Sequence, residues 1–118
     1  MKQKIYTSIG LMSGTSMDGI DISIIQSDGQ NEFYNILDEY FEYDLDLQEE
    51  LIRLRNLVVS QNDLSKNSKE LRNLERKITI FHAEKINHIL LEYKNKIDLI
   101  GFHGQTIFHD PQKKITKQ

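Results

Sequence analysis

The sequence predicts an α/β fold in one small domain, with elements ordered β-β-β-α-α-β. Three observations carry that expectation. β-Branched and aromatic runs fill the chain up to Tyr43; a helical apolar spacing replaces them from Asp46; and a short, almost wholly apolar run, Ile97 to Phe102, follows the longest helical stretch.

Taken in order, Ile5 to Met12 reads as a first strand that ends nearly continuous in apolar character. Ile20 to Gln26 (IDISIIQ) reads as a second, its isoleucines alternating with Asp21 and Ser23. Ser27, Asp28 and Gly29 signal a tight hairpin turn. Glu32 to Tyr43 (EFYNILDEYFEY) then carries aromatics on both alternating faces, as a strand covered on one side and half covered on the other would. These aromatics suit a sheet core better than a base-stacking platform, because no basic residues interleave them. Three strands in a meander follow from this reading.

The helical half begins where Asp46 and Glu49 predict a capping box, with Leu51, Leu54 and Val58 on one face and Gln61, Asn62 and Asp63 ending the helix. From Ser68 to Tyr93, Leu71, Leu74, Ile78, Phe81, Ile86, Ile89, Leu90 and Tyr93 keep a helical spacing, with Lys and Glu between them as the wet face. His82 and His88 lie six residues apart on that helix, on different faces, as surface or packing residues. Lys94 to Lys96 closes it, and IDLIGF has the apolar density of a central, doubly covered strand. Past the single proline, Pro111, the segment Gln112 to Gln118 reads as a polar turn.

Composition bounds the function. A chain of 118 residues makes one small domain or part of one, and 38% hydrophobic with 28% charged residues is ordinary for a folded protein. A net charge of -3 gives no broad attraction to nucleic acid or anionic lipid, so any phosphate site must be a local arrangement. The absence of cysteine removes disulfides and thiolate zinc sites and suits a reducing cytoplasm. The basic start, MKQKIYTSIGLM, is broken by Thr7, Ser8 and Gly10, so no signal peptide is expected, and no run approaches the roughly 18 apolar residues of a membrane helix.

Two polar clusters interrupt this framework. In Ser13-Gly14-Thr15-Ser16-Met17-Asp18-Gly19, glycines allow close backbone approach and hydroxyls add donors, which together can cradle phosphate oxygens. The same residues also make an ordinary hairpin turn, and the lysine of a P-loop is missing. The second cluster, His103-Gly104-Gln105-Thr106 with His109-Asp110-Pro111 behind it, follows a strand end, where open α/β sheets bind ligands. His103 and Gln105 both donate and accept, which suits a hydroxyl-rich ligand; a loop with a capping histidine is the alternative. His103, His109 and Asp110 lack a convincing third ligand set for a metal centre.

In order and separation, the two clusters resemble the amino-terminal part of the anhydro-N-acetylmuramic acid kinases. Gly10 to Asp21 matches the pattern G-x-M-S-G-T-S-x-D-G-x-D, Gly101 to Thr106 matches G-x-H-G-Q-T, and LRNLERKITIFHAEKI is similar to the family's helix before that strand. The resemblance implies an ASKHA (ribonuclease H-like) lobe, with ATP in a cleft between two related lobes. It implies that Gly14, Thr15, Ser16, Met17, Asp18, Gly19, Ile20 and Asp21 line the ATP phosphates, and that His103, Gln105 and Thr106 contact the sugar. The superfamily's usual aspartate two residues before the first glycine is Met12 here, so Asp18 is left to serve Mg2+ through water, or the sugar.

The implied reaction hydrolyses the 1,6-anhydro bond of anhydro-N-acetylmuramic acid while phosphorylating O6 from ATP, in peptidoglycan recycling; Mg2+ would neutralise charge on the phosphates. In the family the catalytic base, second phosphate loop and adenosine segment follow the part matched here, so no catalytic residue is assigned in this chain. The expectation is a cytoplasmic amino-terminal fragment, inactive alone and completed by further polypeptide, a complementary chain or a homodimer. A non-catalytic remnant or an interaction module of the same fold is the alternative.

Overall fold

A meander of three strands, β1 (Tyr6–Ser13), β2 (Gly19–Ser27) and β3 (Phe33–Glu42), gives way to three helices, α1 (Leu45–Leu57), α2 (Gln61–Lys66) and α3 (Ser68–Glu92). The chain then returns to the sheet as β4 (Leu99–Phe102) and ends in a small hairpin, β5 (Phe108–Asp110) with β6 (Ile115–Lys117). The computed structural model describes residues 4–14, 16–110, 112 and 115–118; the expectations resting on Thr15, Pro111 and the side chain of Asp110 lie outside this description.

The main sheet has the order β3-β2-β1-β4. β1 pairs antiparallel with β2 and parallel with β4, in a register that sets Ile9 beside Ile100 and Leu11 beside Phe102. Alternation along the strands decides which face is covered. Ile9 and Leu11 of β1 and Ile20, Ile22 and Ile24 of β2 are buried in one cluster with Leu47, Leu51 and Leu54 of α1 and Leu71, Leu74, Ile78, Phe81 and Ile89 of α3. The opposite face carries Gly10, Met12, Asp21 and Ser23 and stays open, with Met12 56% exposed. The β2–β3 turn is built by Asp28, whose Oδ1 accepts from the backbone N–H groups of Gln30, Asn31 and Glu32, with Gly29 at φ 80°. Among the described residues no helix is long and apolar enough to cross a membrane.

The mixed α/β class and the β-β-β-α-α-β framework are as expected, with a sheet followed by helices, in keeping with an ASKHA-like amino-terminal lobe. Five local expectations are corrected. The Asp46–Glu49 capping box does not form: α1 starts after Asp44 without a side-chain cap. A capping box appears instead at Ser60 and Asp63, so Gln61 to Asp63 open α2 rather than close α1. β3 is an edge strand with Phe33, Tyr34 and Tyr40 exposed, since its helix-facing side chains are Leu37, Glu39 and Phe41. β4 is also an edge: Leu99, Ile100 and Phe102 are each more than half exposed, and among the described residues no strand pairs with its outer side, although the Phe102 ring meets His82 of α3. Finally, the tail read as a turn holds β6, which pairs Thr116 with His109.

Candidate functional site

Because β1 and β4 are parallel neighbours, the two polar segments that follow them emerge at the same end of the sheet. The main-chain N–H of His103 donates to the carbonyl of Leu11 (3.2 Å), carrying the pairing one residue past β4 and bringing His103 beside the end of β1.

The first segment is a turn closed by the N–H of Met17 on the carbonyl of Gly14 (3.3 Å). Met17 takes the left-handed backbone (φ 58°), and its side chain is only 1% exposed, filling the core beneath the turn. Ser16 Oγ donates to Asp18 Oδ1 at 2.8 Å. The Tyr40 hydroxyl also donates to Asp18, and these bonds hold the Asp18 carboxyl below its ordinary value. Desolvation, followed by the bond to Asp18, pushes the Tyr40 hydroxyl up to about 12. Gly19 admits this arrangement: a Cβ there would lie 2.2 Å from the carbonyl oxygen of Phe41 and 2.7 Å from the Tyr40 hydroxyl.

The second segment divides by burial. His103 is exposed, Thr106 half-buried and Gln105 buried, 3% exposed. His103 Nδ1 faces the carbonyl of Gly104 at 3.1 Å and therefore donates, leaving Nε2 to accept from Gln118 Nε2 at 3.0 Å. Gln118 Nε2 also donates to Thr106 Oγ1. Between the strands, Gly10 and Gly101 lie side by side with nothing within 4 Å of where a Cβ would project, giving a flat floor bordered by Met12, Asp21, Ser23 and His103.

A buried chain of polar groups joins the two segments. Gln105 Nε2 donates to the carbonyl of Gly14 at 2.9 Å, and its Oε1 accepts from the Tyr43 hydroxyl at 3.2 Å. That hydroxyl, having given its proton to Gln105, accepts from Ser13 Oγ at 2.8 Å. His82 Nδ1 faces the carbonyl of Ile78 at 2.7 Å and donates to it. His82 Nε2 is thus bare when the ring is neutral, and lies 3.5 Å from Ser13 Oγ, whose one proton is already committed to Tyr43. Burial lowers the His82 pKa, partly opposed by the bond to Ile78, so the neutral ring is the favoured form.

Sequence reasoning named the loop and the H-G-Q-T segment but missed Ser13, Tyr43 and His82 as their connection. The available signal was His82 itself, four residues from Ile78 and seven from Ile89 and hence on the helix's apolar stripe. A further grouping, Glu39 with His88 and Glu92, brings three ligand-type atoms within 4.8 Å of one another between β3 and α3. Half of it was legible as the His88–Glu92 spacing of four; Glu39 comes from another element.

The family model for anhydro-N-acetylmuramic acid kinase matches residues 6–118. The chain belongs to the anhydro-N-acetylmuramic acid kinase family. It is 53% identical over 116 residues to the anhydro-N-acetylmuramic acid kinase of Pelagibacter ubique (strain HTCC1062), covering 98% of this chain and 31% of that protein. It is 36% identical over 118 residues to that of Agrobacterium fabrum (strain C58), covering 98% of this chain and 32% of the relative. The kinase of Rhizobium etli is 37% identical over 117 residues, 97% of this chain and 32% of its own length. This member of the anhydro-N-acetylmuramic acid kinase family thus spans about a third of the length of the curated relatives it matches.

Proposed function

We propose that this chain is the amino-terminal part of an ATP-dependent anhydro-N-acetylmuramic acid kinase and supplies its first phosphate loop and one wall of its sugar site. The observation that carries this reading is the convergence of the two family motifs at one end of the sheet, bridged by the hydrogen bond from Gln105 to Gly14. A loop and a second polar segment at the carboxyl ends of adjacent parallel strands suit a ligand with a charged and a hydroxyl-rich portion.

On this reading Gly14, Thr15, Ser16, Asp18, Gly19 and Asp21 line the nucleotide phosphates. Met17 and Ile20 act through their backbone, since both side chains are buried. Asp18 fits a water-bridged Mg2+, because its carboxylate is exposed and kept ionised by Ser16 and Tyr40. The cation would supply charge neutralisation on the phosphates. His103 and Thr106 are the exposed and half-buried candidates for sugar hydroxyls, with Gln105 between them. The γ-phosphoryl group would pass to O6 as water opens the 1,6-anhydro bridge, a step whose base lies in the remaining two-thirds of the family's length. A cytoplasmic location belongs to this reading, ATP being the donor, and so does completion of the cleft by further polypeptide or a complementary chain.

Thr15→Val tests the loop, since it keeps the side-chain shape and deletes a hydroxyl donor. ATP affinity is expected to fall roughly tenfold; unchanged, measurable affinity would reduce the loop to a turn. Steady ADP release that depends on the anhydro sugar, from this chain purified free of other kinases, would refute its inactivity alone. The exposed aromatics of β3, Phe33 at 64% and Tyr34 at 50%, favour as a second reading a module that presents its sheet edge to a partner. Retention of a partner by a chain that binds no nucleotide would select it.

A further inference from the structure

We propose that Gln105 is a positioning residue that sets the geometry of the Gly14–Asp18 turn and does not itself touch a ligand. Its consequence for catalysis rests on the kinase reading above; the brace does not.

Three of the four hydrogen-bonding positions of the Gln105 amide are committed. Nε2 faces two carbonyl oxygens, Gly14 at 2.9 Å and Thr106 at 3.3 Å, and two acceptors there fix the nitrogen and oxygen assignment. Oε1 accepts from Tyr43. With both ends occupied and 3% of the residue exposed, little is left for a sugar hydroxyl, whereas His103 presents its ring to the surface.

The turn, in turn, depends on the oxygen that Gln105 holds. The Gly14 carbonyl also receives the closing bond from Met17 N–H, and at 3.3 Å that bond is long. Gly14 is exposed and has no side chain to restrain it, so an amide from another element must fix its peptide plane. Tyr43 completes the grip from both sides: its hydroxyl contacts Ser13 before the turn, and its N–H donates to the carbonyl of Asp18 after it at 2.9 Å. Gln105 sits in sequence between two groups able to meet a ligand, His103 and Thr106, so engagement there is transmitted to the turn through one buried side chain.

The test has two arms. Amide hydrogen exchange on this chain compares the wild type with Gln105→Met, which keeps the volume and deletes the donor, and with Tyr43→Phe. Exchange across Ser13 to Gly19 is expected to quicken roughly tenfold in Gln105→Met while α3 is unchanged. Loop exchange within about twofold of wild type would overturn the brace. Should Gln105→Met loosen α3 as well, Tyr43→Phe decides in the same way, by a quickened or an unchanged loop.

In the second arm this chain replaces the matching third of the Pelagibacter ubique kinase, and KM for ATP, KM for the anhydro sugar and kcat are measured. A positioning role predicts that Gln105→Met changes kcat or the ATP KM by roughly tenfold and leaves the sugar KM alone. A selective rise in the sugar KM would make Gln105 a ligand contact and overturn the proposal. An unmutated chimera that folds but releases no ADP would sink the kinase reading, and the exchange comparison then decides the brace by itself.

Discussion

Thr7 and Asp98, separated by 91 residues, clasp each other twice: the N–H of Thr7 donates to Asp98 Oδ2 at 2.9 Å, and the N–H of Asp98 donates to the carbonyl of Thr7 at 2.8 Å. This clasp sits at the entry to the β1–β4 pairing and fixes the register that delivers both motifs to the same end. The bond from Thr7, aided by Lys96, holds the Asp98 carboxyl below its ordinary value of 3.8. A group depressed in the folded state contributes stability above its unfolded value and loses it as pH falls through the folded one. Asp98→Ala should therefore lower the thermal midpoint at pH 7, and the deficit should shrink as the pH drops below 4. Asp98→Asn, which keeps an acceptor for Thr7, should lose less. Thermal denaturation of the three proteins across pH 3 to 7 checks this, and equal midpoints for Ala and Asn would remove the clasp from the argument.

Gly19→Ala should destabilise the chain by about 2 kcal/mol or more, since overlap with a main-chain oxygen cannot be relieved by a rotamer change. The backbone carbonyl of Phe41, at 2.2 Å from the added methyl, belongs to the paired strand, so β2 and β3 must part locally. Urea unfolding measures the loss, and a drop under roughly 0.5 kcal/mol would mean that β3 yields easily.

His82 makes stability depend on pH in the same direction as Asp98 but in a higher range. Its neighbours are Ser13 from β1, the Phe102 ring from β4 with centroids 4.9 Å apart, and the carbonyl of Ile78 in its own helix, none of them charged. Burial lowers its pKa below 6.5, so the unfolded chain takes up a proton that the folded ring resists. Stability is full above about pH 6.5 and declines as the pH falls toward the folded value. Replacing His82 with Gln should flatten that slope just below pH 6.5. Denaturation midpoints that slope as steeply in the variant would assign the dependence elsewhere.

The open edge at β4 should make this chain self-associate. Leu99 (55%), Ile100 (64%) and Phe102 (55%) flank a row of unpaired main-chain groups. Sedimentation is expected to show mass rising with concentration, and Ile100→Lys to reduce the effect. A monomer at every concentration tested would show that the edge is covered from within.

Much of this architecture was legible because its signals are local. The isoleucines of β2 alternate, the stripe of α3 repeats every three or four residues, and Asp28-Gly29 marks a turn, so each element announces itself within a few residues. What misled was density of apolar residues. IDLIGF reads as buried on both faces because its residues suit that environment, yet which strand lies beyond it is a property of distant chain, and among the described residues none does. The Asp46–Glu49 spacing suited a capping box that does not form, whereas Ser60 and Asp63 carry the same three-residue spacing and do form one at the start of α2. In the site, the loop and H-G-Q-T were visible as motifs, whereas the link from Ser13 through Tyr43 to Gln105 spans three elements and has no sequence spacing to reveal it.

Met17 gives the loop a mechanical character. Its backbone is left-handed, and its side chain is sunk into the core. Swinging the turn outward would drag that side chain into water at a cost of about 2 kcal/mol, so a lifted loop would make up only a few per cent of molecules. The turn therefore behaves as a fixed anvil rather than a hinged lid. On the kinase reading proposed above, opening and closing of the site would then fall to whatever faces the turn.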